Sequence, residues 1–172
     1  MFTFVTGGSA SGKSEFAEKL IERLPGRRIY IATMQPYDKE SYARIAKHRK
    51  ARSARNFDTI ECPTGLERTD IPSGANVLLE DIDNLTANEF FGPSGDPGRI
   101  LPGIDHILEN CSNLTVVAGE LFSGGSIYLG ETLEYLHTLA DIDRKLAEKA
   151  DLVIEVVCGM PDVLKGDLNA CI

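Results

Sequence analysis

Short apolar runs alternate with amphipathic stretches along this 172-residue chain. Five of the runs, at 2–6, 28–33, 76–80, 114–119 and 152–157, are too continuously apolar to leave one face in water. Such runs are expected of central strands in a parallel sheet, which is covered on both sides. Between them, residues 14–24, 38–50, 103–110 and 131–150 space their apolar side chains as helices do. In the last of these, Leu133, Leu136, Ala140 and Ile142 are expected on one face. The stretch FGPSGDPGR, residues 91–99, is rich in glycine and proline and predicts a surface loop. The alternation predicts an α/β fold, a mostly parallel sheet covered by helices, with residues 1–172 as a single domain.

The first strand and the first helix are joined by an unusual turn. Gly7, Gly8, Ser9, Ala10, Ser11, Gly12, Lys13 and Ser14 fit the pattern G-x-x-x-x-G-K-S. Strand, glycine-rich turn and helix, in that order, is the context a phosphate-binding loop requires. The glycines let the backbone curl so that successive N–H groups face an anion. The helix then points its partly positive end at the same charge. Lys13 is placed to reach the β and γ phosphates of a nucleotide, and the Ser14 hydroxyl to ligate Mg²⁺. The expected fold is therefore of the P-loop type, and the expected ligand is a nucleoside triphosphate, ATP or GTP, with Mg²⁺.

An acid at the carboxyl edge of the sheet would complete such a metal site. The run NVLLE followed by Asp81 offers Glu80 and Asp81, acting directly or through water, and alternation along the strand does not choose between them. Glu120, after the next run, is a further candidate.

Charge and composition narrow the partners. A formal net charge of −8 argues against a general nucleic-acid or anionic-membrane binder. The four cysteines stand far apart without a C-x-x-C pair, which speaks against zinc and for reduced thiols. The chain shows neither a signal peptide nor an apolar stretch long enough for a membrane span, so a cytoplasmic location is expected. Against this acidic background, ARIAKHRKARSAR at 43–55 holds six basic residues and no acid. Such a cluster repels itself unless an anion visits it. His48 lies in its middle, and a neutral imidazole kept so by neighbouring cations can attack phosphorus. A solvated basic face is the plainer reading of the same run.

Together, TGGSASGKS, YIAT, ARIAKHR, LLED and a last strand followed by glycine and LKG resemble the adenosylcobinamide kinase/adenosylcobinamide-phosphate guanylyltransferase family of cobalamin biosynthesis. The resemblance runs through nearly the whole chain in the same order. It implies two reactions: phosphorylation of cobinamide by a nucleoside triphosphate, and transfer of GMP from GTP to cobinamide phosphate through a guanylylated histidine. His48 matches that histidine, with Lys13 as the phosphate-loop lysine. The resemblance further implies that Ile31, Ala32, Thr33, Arg49, Lys50, Ala51, Arg52, Glu61 and Glu80 line the guanine nucleotide site, and Asn88 matches a recurrent family position. A homo-oligomer, a trimer, is implied as well. The chain departs from the family at Ser53, where proline is usual, after Glu120, and along 131–150, where Asp143 and Arg144 replace an Asn-Gln pair. Two alternatives stay open: a P-loop kinase acting on another small molecule, and a GTP-binding paralogue without catalysis.

Overall fold

The computed structural model describes residues 1–35, 55–125 and 127–168. Within them, the elements are β1 (Phe2–Thr6), α1 (Lys13–Glu22), β2 (Arg28–Ala32), β3 (Phe57–Glu61), β4 (Asn76–Glu80), α2 (Ile82–Phe91), α3 (Ile100–Asn110), β5 (Asn113–Val117), α4 (Glu131–Lys149), β6 (Leu152–Val157) and β7 (Met160–Lys165). The strands form one seven-stranded sheet in the order β3-β2-β4-β5-β1-β6-β7. Every pairing is parallel except that of β7, which returns antiparallel to β6. The α/β, mostly parallel architecture read from the apolar runs is the one observed.

Alternation along the strands sends side chains to two cores. Val5, Tyr30, Phe57, Leu78, Val117 and Ile154 meet Ala17 and Ile21 of α1 on one face. Phe4, Ile29, Val77, Leu79 and Val116 meet Leu85 of α2, Ile104 and Ile107 of α3, and Leu139, Ile142 and Leu146 of α4 on the other. The inner strands thus bury both faces, which is why they read as unbroken apolar runs. The packed face of α4 is Leu139, Ile142 and Leu146, whereas the expected Leu133 is 38% exposed. The helix outruns the sheet at its start, and its first turn projects into solvent.

Three elements were not among the expected ones. In β3 only Phe57 is buried, because the strand closes the sheet at one edge. β7 is exposed throughout and contains Pro161, which an edge strand tolerates. Helix α2 starts directly after β4, where no helix was expected: Asp81 is its N-cap and accepts from the Asn84 amide at 2.7 Å. The 91–99 stretch holds a short 3₁₀ turn, Pro97–Arg99, leading into α3. The helix expected at 38–50 lies outside the described residues. Among the described residues, no helix is long and apolar enough to cross a membrane.

Candidate active site

The carboxyl edge of the sheet collects Gly7 to Ser14, Ile31 to Thr33, Glu61 and Glu80, because β1, β2, β3 and β4 all end there. Gly7 to Ser14 connects β1 to α1. A Cβ at Gly7 would lie 2.6 Å from the Val156 carbonyl and 2.7 Å from Ser11 Oγ, so only glycine fits. Gly12, the N-cap of α1, has φ +93 and offers no side chain to the helix's first amides. Those N–H groups are left for an anion. Lys13 folds back over the loop and donates to the Gly8 carbonyl at 3.3 Å. The Ser11 hydroxyl is buried without a hydrogen-bond partner. Two neighbours hold the loop in place: the Glu120 amide donates to the Gly7 carbonyl at 3.0 Å, and the Gly159 amide to the Ser11 carbonyl at 2.7 Å. Gly159 lies in the turn between β6 and β7.

In register across the sheet, Ala32 stands beside Glu61 on β3 and beside Glu80 on β4. The two acids therefore share the face that α1 covers. Tyr30 Oη donates to Glu80 Oε2 at 2.9 Å, fixing the carboxylate toward that face. Asp81 is engaged differently. Its carboxylate takes both the backbone amide and the side-chain amide of Asn84, while its backbone exchanges two 2.8 Å bonds with the Thr33 hydroxyl. Of the two acids left open by the sequence, Glu80 is the one not committed to a helix cap.

Ile31 and Ala32 end β2 and Thr33 follows it, all three buried, at 0%, 6% and 0% exposure. They shape the edge from beneath. Asn88, on α2, donates to the Thr33 and Pro63 carbonyls at 2.8 and 2.9 Å and so braces that edge. Glu120 turns away from the loop: its carboxylate accepts from the amides of Phe122 and Ser123, and the Ser123 hydroxyl beside it lowers its pKa.

Sequence patterns did not single out Asp83. Both its oxygens accept from the Gly119 amide, at 3.0 and 2.8 Å, which positions the 118–120 segment beside the phosphate loop. Burial and the nearby Asp81 push its pKa up to about 6, against the pull of the Gly119 amide and Lys13. Asp143 on α4 faces it, and burial together with the Asp83 charge raises Asp143 to about 8. Tyr135, which donates to the Asp83 carbonyl at 3.2 Å, is pushed up by burial and then by the same acids. A carboxylate two residues from an expected metal-binding acid was the only available hint.

His48, Arg49, Lys50, Ala51 and Arg52 lie outside the described residues. The last member of the basic run, Arg55, is described, and it serves packing. Its guanidinium pairs with Glu18 at 2.5 Å and Glu22 at 3.6 Å on α1.

Comparison with known proteins places this edge in a context. The family described as cobinamide kinase / cobinamide phosphate guanyltransferase matches residues 3–164. The bifunctional adenosylcobalamin biosynthesis protein CobP of Pseudomonas aeruginosa is 30% identical over 174 residues, covering 97% of this chain and 99% of the relative. The CobU proteins of Salmonella typhimurium and Escherichia coli, with the same description, are each 39% identical over 99 residues, covering 56% of this chain and 54% of theirs. With a glycine loop, a lysine and an ordered acid at one sheet edge, and a family match over nearly its full length, the chain belongs to the cobinamide kinase / cobinamide phosphate guanyltransferase family.

Proposed function

We propose that this protein phosphorylates cobinamide with a nucleoside triphosphate and then transfers GMP from GTP to the cobinamide phosphate, within cobalamin biosynthesis. The observation that carries the reading is the phosphate loop itself, whose glycines, uncapped helix start and folded-back Lys13 leave a main-chain cradle for an anion. The family match supplies the substrates.

In the kinase step, Lys13 turns from Gly8 to the β and γ phosphates, and the first amides of α1 bind their oxygens. The cobinamide hydroxyl attacks the γ phosphorus as the bond to the β-phosphate oxygen breaks. Ser14 and Glu80 are the residues that would hold Mg²⁺, Glu80 through water, and the orientation of Glu80 by Tyr30 fits that use. Bound there, the ion supplies charge neutralisation on the phosphate oxygens.

In the guanylyl step, a neutral His48 nitrogen attacks the α phosphorus of GTP and pyrophosphate leaves. Arg49, Lys50 and Arg52 stabilise the oxygens that gain charge. An oxygen of cobinamide phosphate then attacks the same phosphorus, and the P–N bond breaks to free His48. Support for these roles is the sequence: a histidine amid cations in the family's position. Ile31 to Thr33 and Glu61 shape the guanine side of the edge.

A trimeric assembly fits the exposed apolar side chains of Phe122, Ile127 and Leu129, at 46%, 90% and 79% exposure. A cytoplasmic location fits the free thiols of Cys62, Cys111 and Cys158.

The kinase half is tested by incubating the protein with γ-labelled ATP or GTP, Mg²⁺ and cobinamide. Label in a corrinoid product, lost in Lys13→Ala, is the expected result. Nucleotide binding without any labelled corrinoid would overturn the kinase assignment and leave a nucleotide-binding paralogue.

A further inference from the structure

A cleft of about 580 Å³ opens beside the carboxyl end of β2, with Gln35, Arg68, Asn88, Phe91 and Arg99 among its lining. Helix α2 is its floor. Its walls are two loops, around 64–68 on one side and 92–99 on the other. Both walls hang on a single buried side chain. Glu89, 2% exposed, accepts from the Gly65 amide at 2.7 Å through Oε1 and from the Asp96 amide at 2.9 Å through Oε2. Asn88 ties the same floor to Thr33 and Pro63. A carboxylate is buried at a cost unless its oxygens are fully bonded. Here that bonding holds two loops at a set separation.

Each wall carries an arginine. Arg68 meets Glu67 at 3.4 Å and Arg99 meets Asp96 at 3.6 Å, with 72% and 43% of their side chains exposed. Contacts this long and wet occupy little of a guanidinium that offers five N–H donors. The carboxylate of the floor, meanwhile, faces backbone amides. The cleft therefore presents guanidinium donors from both walls, although acids stand beside them. Phe91 adds an apolar wall: it is 55% exposed at the rim, backed by Phe90 at 4.8 Å and Tyr135 at 5.6 Å.

The position separates this cleft from the phosphate loop. Three strand spacings lie between β2 and β1, about 14 Å at ordinary sheet geometry. A nucleotide seated on the loop has its phosphates held there, so a second cleft with guanidinium donors and an apolar rim suits a different phosphate. We propose that this cleft takes the phosphorylated acceptor of the guanylyl step, a phosphate monoester on a bulky organic body, with Arg68 and Arg99 binding the phosphate and Phe91 the body. The assignment rests on the guanylyltransferase reading above. A guanidinium matches the planar, multi-oxygen face of a phosphate, one stands on each wall, and the exposed ring gives the body a surface to cover.

Calorimetric titration of the full chain tests it, with cobinamide phosphate, cobinamide and Mg²⁺-GTP as separate probes. For the Arg68→Ala/Arg99→Ala double variant, a loss of at least about tenfold in affinity is expected for cobinamide phosphate. Cobinamide and GTP should bind it within about twofold of the unaltered protein, and its thermal midpoint should be unchanged. The Arg68→Lys/Arg99→Lys variant should recover part of the affinity, since charge returns without the fork. Equal affinity for cobinamide phosphate in the alanine variant and the unaltered protein would overturn the proposal. So would an equal loss for cobinamide, or a loss confined to GTP, which would give the cleft to the nucleotide. GMP label on the protein with arginine-independent acceptor binding would sink the cleft alone. Arginine-dependent binding without any label would sink the guanylyl reading while the cleft stands.

Discussion

The two ends of the sheet's carboxyl edge are built by opposite means. At the glycine loop the main chain forms the cradle, within eight consecutive residues, and side chains are kept out by Gly7 and Gly12. At the cleft beside β2 the charges are on side chains, Arg68 and Arg99, and the walls that carry them are set by a buried Glu89 from a third segment. A main-chain cradle is compact in sequence and tolerates almost no substitution. A cleft of side chains is scattered over the chain and is tuned one residue at a time. The difference predicts where each kind of change is felt.

The largest effect should come from Lys13→Ala, which removes the charge from the main-chain cradle. Kinase turnover is expected to fall about 10²–10³-fold, the usual scale for losing one key stabilising donor, in a steady-state assay at saturating nucleotide. Unchanged turnover would break the comparison at its stronger end. Glu89→Ala attacks the other end through stability. It strips the buried Gly65 amide and the half-buried Asp96 amide of their acceptor, and urea unfolding should show a loss of about 2–4 kcal/mol. Acceptor affinity should weaken with nucleotide affinity preserved. Gly12→Ala places a Cβ 3.2 Å from the Gly159 Cα at φ +93, so a loss of about 2 kcal/mol is expected, with weaker nucleotide binding. Here stability and nucleotide affinity should fall together, unlike in the cleft.

The smallest effect concerns the acids beneath the loop. Burial, with Asp83 opposite, raises Asp143 from the ordinary 3.8 to about 8. Between those values the folded chain binds more protons than the unfolded one, so this group's contribution to stability falls as pH rises. Below about pH 4 it contributes no such loss. Asp143→Asn removes the titration, leaving Asp81, Asp83 and Tyr135 around it. The variant's thermal midpoint should exceed the unaltered protein's by roughly 2–4 °C at pH 8, and the gap should close toward pH 4. A gap that widens at low pH would contradict the placement of Asp143 against Asp83.

The elements that were legible in the sequence are those whose burial is unambiguous. β1, β2, β4, β5 and β6 lie inside the sheet, so their apolar runs were complete. β3 and β7 sit at its edges, where Asp58, Thr59 and Pro161 dilute the signal. α2 was hidden because Asp81 reads equally as a metal-site acid and as a helix cap, and only the bond to Asn84 decides. The phosphate loop was legible because its spacing is dictated by backbone geometry. Asp83, Glu89 and the two arginines of the cleft follow no fixed spacing; the roles of Asp83 and Glu89 come from contacts with Gly119 and Gly65, 36 and 24 residues away, and the arginines come together only through the loops that carry them. The basic run was conspicuous, yet its last member, Arg55, pairs with α1, a use that composition alone does not reveal.

The central claim is that His48 carries GMP during the second reaction. The most direct measurement is incubation of the protein with α-labelled GTP and Mg²⁺, followed by denaturation and peptide mapping, beside His48→Ala. A phosphoramidate is stable to base and labile to acid. The account predicts base-stable, acid-labile label on the peptide holding His48, with pyrophosphate released and no label in His48→Ala. Label persisting in His48→Ala, or GTP bound with no covalent label at all, would contradict it.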